Sequence, residues 1–194
     1  MNVAILIYPD AEVLDFSGPF EVFSTATRIS DGARPFEPFL VAETSAPVAA
    51  RAGFTVVPHY DFRSHPDIDL LIVVGGVHDP QLARPDVIEW IAAQSKRAQH
   101  VASVCTGAFL LAKAGVIQNE RVTTHWEDID DLRRQFPSLD VLEGQRWVGA
   151  GPVTTSAGIS AGIDMSLHLV RSFADEGLAV RTARKMEYDW QDQG

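Results

Sequence analysis

The chain has 194 residues and one cysteine, Cys105, which lies in SVCTGAFLLAKAG, where an apolar run passes straight into helix-forming residues. A sharp strand-to-helix turn leaves little room two residues either side of its central residue, so such turns carry small residues there. Ser103 and Gly107 occupy those two places. The turn lifts its central side chain above the sheet edge and aims the first free amides of the following helix at it. Those amides and the helix dipole favour a thiolate and can bind a developing anion. A lone cysteine is in general more often an inert core residue. Here the strand end, the small neighbours and the immediate helix start together mark Cys105 as a nucleophile.

A thiolate nucleophile needs a proton partner, and Asp15 in LDFSGPFEVF is the candidate. Pro19 suits the first position of a helix, Glu21 its first turn, and Gly18 or Ser17 its cap. Asp15 then lies upstream of the cap, free for chemistry unless it closes an Asx-turn in its own loop. An ionised Asp15 would raise the thiol pKa, whereas a protonated one could donate to the thiolate, so the pair is expected to share one proton. It would serve as acid when Cys105 attacks and as base for water afterwards.

Three further places complete the candidate site. Gly75-Gly76 ends the apolar run DLLIVVGG, and amides near Gly76 and Val77 could form an anion hole, or the doublet could be a plain tight loop. Thr106 could bond a substrate atom or cap the helix. His125, in TTHW, could act as a base or bond local backbone. His59, His65, His78, His100 and His168 have no ligand spacing with one another, so no metal site is expected. The chemistry also calls for no cofactor.

The elements that must position these residues are legible as periodicity. Apolar runs NVAILIY, FEPFLVA, DLLIVVGG and HVASV alternate with helically spaced segments such as Pro85 to Ala98. Continuous rather than alternating apolar runs mark strands covered on both faces, hence an α/β fold with a mainly parallel sheet. Ligands collect beyond the carboxyl ends of such strands, where YPDAEVLDFSGP, VVGGVHDP, SVCTGA and TTHW all fall. RVTTHWEDIDDLRRQF mixes signs as a solvated helix face does. Between about Val122 and Thr155 short runs and glycines predict a small hairpin excursion. Ile159, Ile163, Leu167 and Val170 then follow at helical intervals, and a last helix runs from about Leu178 to Tyr188.

Length and the lack of a linker predict one domain over residues 1–194. Sixteen Lys and Arg against 26 Asp and Glu give a net charge of −10, which repels phosphate backbones and anionic membranes, and no basic cluster offsets it. Nucleic acid and membrane are therefore not expected as partners. A single cysteine allows no internal disulfide, which fits a cytoplasmic setting. MNVAILIYPDAE lacks a basic n-region and reads as a buried first strand rather than a signal peptide.

YPDAEVLDFSGPFEVF, VVGGVHDP, SVCTGAFLLAKAGVIQNERVTTHW and VTTSAGISAGIDMSLHLV resemble the ThiJ/PfpI superfamily of glutamine amidotransferase-like proteins, specifically its isonitrile hydratase branch. The resemblance implies a flavodoxin-like sandwich and a homodimer. It matches Cys105 to the nucleophile, Asp15 to the acid beside it, Thr106 to the threonine that follows the cysteine in hydratases, and Gly75, Gly76 and Ile159 to the surrounding pocket. Protease-like members usually carry histidine where Thr106 stands, and glyoxalase- or deglycase-like members typically carry glutamate where Asp15 stands. Sensor domains of AraC-type regulators share the cysteine and TTHW segments but continue into a helix-turn-helix module, whereas this sequence ends soon after MEYDW. The implied activity is a hydro-lyase reaction on a small electrophile: Cys105 attacks the terminal carbon of an isocyanide, nitrogen takes a proton, and water activated by Asp15 releases an N-substituted formamide. A ligand or oxidation sensor and a glyoxalase-like enzyme using His125 are the alternatives.

Overall fold

The computed structural model describes residues 1–192. In chain order its strands are β1 (Asn2–Leu6), β2 (Glu37–Ala42), β3 (Val48–Ala49), β4 (Thr55–Val56), β5 (Tyr60–Asp61), β6 (Leu70–Val73), β7 (His100–Val104), β8 (Arg121–Val122), β9 (Asp140–Val141), β10 (Trp147–Ala150) and β11 (Val153–Ser156). The helices are α1 (Val13–Arg28), α2 (Asp79–Leu82), α3 (Pro85–Ser95), α4 (Gly107–Lys113), α5 (Ile129–Gln135), α6 (Ala161–Phe173) and α7 (Glu176–Lys185).

The main sheet runs β10-β11-β7-β6-β1-β2-β5, and every pair in it is parallel except β10 with β11. All four residues of β6 and the last four of β1 and β7 are buried, as continuous apolar runs require of strands covered on both faces. Helices α1, α6 and α7 pack together, as do α2, α3 and α4, which gives the flavodoxin-like layering. Phe23, Phe109 and Ile91 are fully buried between the layers, each contributing about 1.5–3 kcal/mol of burial. No helix among the described residues is long and apolar enough to cross a membrane.

Strand order and register place the site. Leu6 pairs with Val73, and Val73 with Ser103, so β1, β6 and β7 end level with one another. The three loops that follow therefore emerge side by side, with the β6 loop between those carrying Asp15 and Cys105.

Four expectations require correction. Helix α1 begins at Val13, so Pro19 lies inside it and Asp15 sits in its first turn instead of upstream of a cap. The reason is tertiary: Glu12 N–H donates to Gly75 O at 3.0 Å and Val77 N–H to Asp10 O at 3.1 Å, which fixes the entry to the helix against the β6 loop. The carbonyl of Asp15 then faces a proline nitrogen that cannot donate. The predicted hairpin forms, as β10 and β11 pair antiparallel, but it extends the main sheet instead of standing apart from it: β11 is wholly buried beside β7 and its threonines are paired, Thr154 Oγ1 with His100 Nε2 at 2.9 Å, and Thr155 Oγ1 accepting from Thr123 N–H at 2.8 Å. Ile159 precedes α6 with a φ of 39°, so it faces outward instead of continuing the helical stripe. The last helix is earlier than predicted, Glu176–Lys185, because Asp175 caps it by accepting from Leu178 N–H at 2.7 Å.

Candidate active site

Cys105 occupies the expected elbow with a φ of 55°, a left-handed conformation that costs a residue with a side chain about 1–2 kcal/mol. Its own backbone is pinned on both sides to hold it there. Cys105 N–H donates to Ser156 O and Ala157 O at 3.2 and 3.3 Å, and the buried Thr124 hydroxyl donates to Cys105 O at 2.8 Å. A Cβ on Gly107 would come within 2.1 Å of Val73 O, which is why only glycine serves two residues after the cysteine. The thiol does not stand proud of the sheet: only 6 % of the residue is exposed, at the floor of a cleft of about 200 Å³.

Asp15 is fully buried beside it, and Gly75 is the spacer between the two. A Cβ on Gly75 would meet Thr106 N at 2.6 Å, Cys105 Cβ at 2.7 Å and Asp15 Oδ2 at 2.8 Å, so all three converge on the space glycine leaves. Gly75 N–H donates to Asp15 Oδ2 at 3.0 Å, while Oδ1 is buried without a hydrogen-bond partner among the described residues. Burial drives the carboxyl up from 3.8 to about 7, against the pull of the Gly75 amide, with the charge of Glu12 adding to the rise. The thiol lies close enough to favour the carboxylate, without the geometry of a formed hydrogen bond.

The thiol is itself pushed well up, first by burial and then by the charge of Asp15; the nearby amides of Thr106 and Ile159 favour the thiolate and pull it back. The two form one coupled pair: burial disfavours the charged form of each, and the charge of Asp15 disfavours the thiolate further. Tyr8 closes the back of this pair. Its hydroxyl donates to Val74 O at 2.9 Å, and burial and both neighbouring charges keep it protonated.

The expected anion hole is displaced. Gly76 N–H donates to Thr106 Oγ1 at 3.0 Å and Val77 N–H to Asp10 O at 3.1 Å, so neither of these amides is left for a ligand. The two amides that reach the sulfur belong to Thr106 and Ile159. The hydroxyl of Thr106 is likewise committed, donating back to Gly76 O at 3.1 Å, and thus clamps the β6 loop to the elbow and not to a substrate. Gly76 has a φ of 135° and Asp10 O would lie 2.3 Å from any Cβ there, so the loop depends on glycine.

His125 does line the cleft with Cys105, Thr106, Gly76 and Ile159, but its Nδ1 points at Glu127 N–H (3.4 Å) and Asp128 Oδ2 (3.4 Å). The cleft also holds residues that no sequence pattern singled out: Glu12 with Arg51 (3.8 Å), Glu127 and Asp128. Glu12 stands three residues before Asp15 in the same segment, a spacing that one turn of helix brings together; Arg51 arrives from a distant turn and left no such signal. Among the described residues no group of three or more His, Cys, Asp or Glu is placed to hold a metal.

A family model described as DJ-1/PfpI matches residues 1–172. The chain belongs to the DJ-1/PfpI family. Isonitrile hydratase of Pseudomonas putida is 30 % identical over 189 residues, covering 97 % of this chain and 78 % of that protein. The HTH-type transcriptional regulator CdhR of Pseudomonas aeruginosa is 28 % identical over 93 % of this chain, which spans only 53 % of the regulator. Among solved structures, a THiJ/PfpI family protein from Pseudomonas syringae superposes with a TM-score of 0.85 at 29 % identity, covering 98 % of this chain and 76 % of its own. The family thus includes both an enzyme and regulators among the relatives of this chain.

Proposed function

We propose that this DJ-1/PfpI protein hydrates a small isocyanide to an N-substituted formamide, and the observation that carries the reading is the buried Asp15–Cys105 pair meeting across Gly75. With the shared proton on Asp15, the Cys105 thiolate attacks the terminal carbon of R–NC, forming the C–S bond. That carbon carries the lone pair, so atom balance puts the proton from Asp15 on carbon, not on nitrogen as first expected, and the product is the thioimidate R–N=CH–S. The Asp15 carboxylate then takes a proton from water, hydroxide adds to the same carbon, and nitrogen receives the proton. Collapse expels the Cys105 thiolate, the hydroxyl proton returns to Asp15, and R–NH–CHO leaves. Amides of Thr106 and Ile159 hold the sulfur anion at the start and end of the cycle.

The likeness to isonitrile hydratase supports this reading, and the small cleft volume suits a compact R group. The same reading takes the working form as a cytoplasmic homodimer of a one-domain chain, with Cys105 and Asp15 as the reacting pair, Gly75 and Thr106 fixing their geometry, and Gly76, Ile159 and His125 lining the cleft around the ligand. Purified protein should consume an aryl isocyanide, followed by absorbance and by chromatography of the formamide. Cys105→Ala should not, and equal rates in the two would reject the proposal. A second reading, a ligand or oxidation sensor, is favoured by the likeness to the CdhR regulator. Stoichiometric oxidation of Cys105 by peroxide, seen by mass spectrometry in protein that turns over no isocyanide, would select it.

A further inference from the structure

The geometry points to a second small-molecule site, separate from the Cys105 cleft, that takes a neutral, mainly apolar carboxamide. A cavity of about 320 Å³ opens beyond the carboxyl ends of β1 and β2, against α2 and α3. Its walls include Leu6, Ile7, Tyr8, Val48, Phe62 and Val87. The volume falls at the small end of the range that ligand pockets occupy, and the strand-end position is where open α/β sheets bind ligands. None of the lining residues is shared with the Cys105 cleft.

The polar content of this cavity is what makes it selective. Gln81 lies in α2 and is only 4 % exposed, yet its side-chain amide has no hydrogen-bond partner among the described residues and lines the cavity. Its polar atoms are not sealed from solvent but open onto the cavity, so the amide is available to an occupant that replaces water as its hydrogen-bond partner. The amide offers one acceptor and two donors, and the group that matches both at once is another carboxamide. At the rim, Arg84 Nη2 and Glu43 Oε1 pair at 2.5 Å and neutralise one another, so nothing there calls for a charged ligand. Phe62 stacks on Trp90 with ring centroids 4.3 Å apart, fixing an aromatic wall for the apolar part of the molecule.

Benzamide is the probe, because it carries the amide on an aryl ring and no carbon that a thiolate attacks readily; its binding is therefore independent of the hydration reading. Two-dimensional amide NMR of the wild-type protein should show saturable shifts at the Gln81 side-chain NH2 and at Val48 and Phe62. Toluene, lacking the amide, should bind more weakly, and Gln81→Leu should weaken benzamide by about five-fold, the worth of one neutral hydrogen bond. Ala46→Trp, at the exposed rim, should close the cavity while leaving the fold and the Cys105 cleft intact. The inference is overturned if shifts are absent, if they centre on Cys105 and His125 instead, if toluene binds as well as benzamide, or if both variants bind benzamide like wild type.

Discussion

Asp15→Asn keeps the shape of the side chain and removes its charge, so it isolates what ionising that carboxyl does to the fold. Folding raises the group from 3.8 to about 7, chiefly because burial strips it of water. Between those two values the native state binds more protons than the unfolded chain, and stability therefore falls as pH rises; the loss is absent below the lower value and complete above the upper one. At about 1.4 kcal/mol per pH unit, the loss accumulated between about pH 4.5 and about pH 8 is about 3 kcal/mol. His168, which burial holds down at about 4, acts with the opposite sign in part of this window, but it is common to both proteins and cancels in their difference. Urea denaturation at the two pH values would measure it. Asp15→Asn should gain about 3 kcal/mol over wild type on passing from the acid to the alkaline condition. An offset between the two proteins that stays constant across the window would refute the assignment of a raised pKa to Asp15, and with it the shared proton.

Other substitutions probe the frame around the pair. Gly75→Ala should abolish isocyanide consumption and lower stability by about 1–3 kcal/mol, since the added methyl meets three groups below 3.0 Å; activity and melting temperature check this together. Gly76→Ala should cost at least about 2 kcal/mol in chemical denaturation, because Asp10 O blocks the Cβ and the backbone is in a region that glycine alone enters freely. Thr124→Val should cost about 1–3 kcal/mol by leaving Cys105 O unpaired, and should slow turnover more than it weakens substrate binding; a denaturation curve and a kcat-against-KM comparison would show it.

Much of this was legible because it is local. The Cys105 elbow follows from two small neighbours, Ser103 and Gly107, and an abrupt change of periodicity, all within a few residues. The parallel sheet follows from strands apolar at every position, since only double-sided burial stabilises such runs. What escaped was set by pairing across the sheet. Pro19 is a strong local signal for a later start of α1, while the hydrogen bonds that begin the helix at Val13 come from the β6 loop. The anion hole differs for a like reason: Gly76 and Val77 sit at a strand end, but their amides are consumed by Thr106 and Asp10, and the amides that replace them are those of Thr106 and of Ile159, the latter at positive φ after a distant strand. Gly75 was visible as part of a doublet; its role as spacer between acid and thiol depends on β6 lying between β1 and β7.

The central claim is that Cys105 makes a covalent bond to the isocyanide carbon and that Asp15 moves the protons on either side of that step. Intact-mass spectrometry of Asp15→Asn mixed with an aryl isocyanide tests both halves at once. The protein should gain the mass of one isocyanide at Cys105, by slow proton delivery from solvent, and should retain it without releasing formamide. Formamide released at the wild-type rate, or an unmodified Cys105 after prolonged exposure of both wild type and variant, would contradict it.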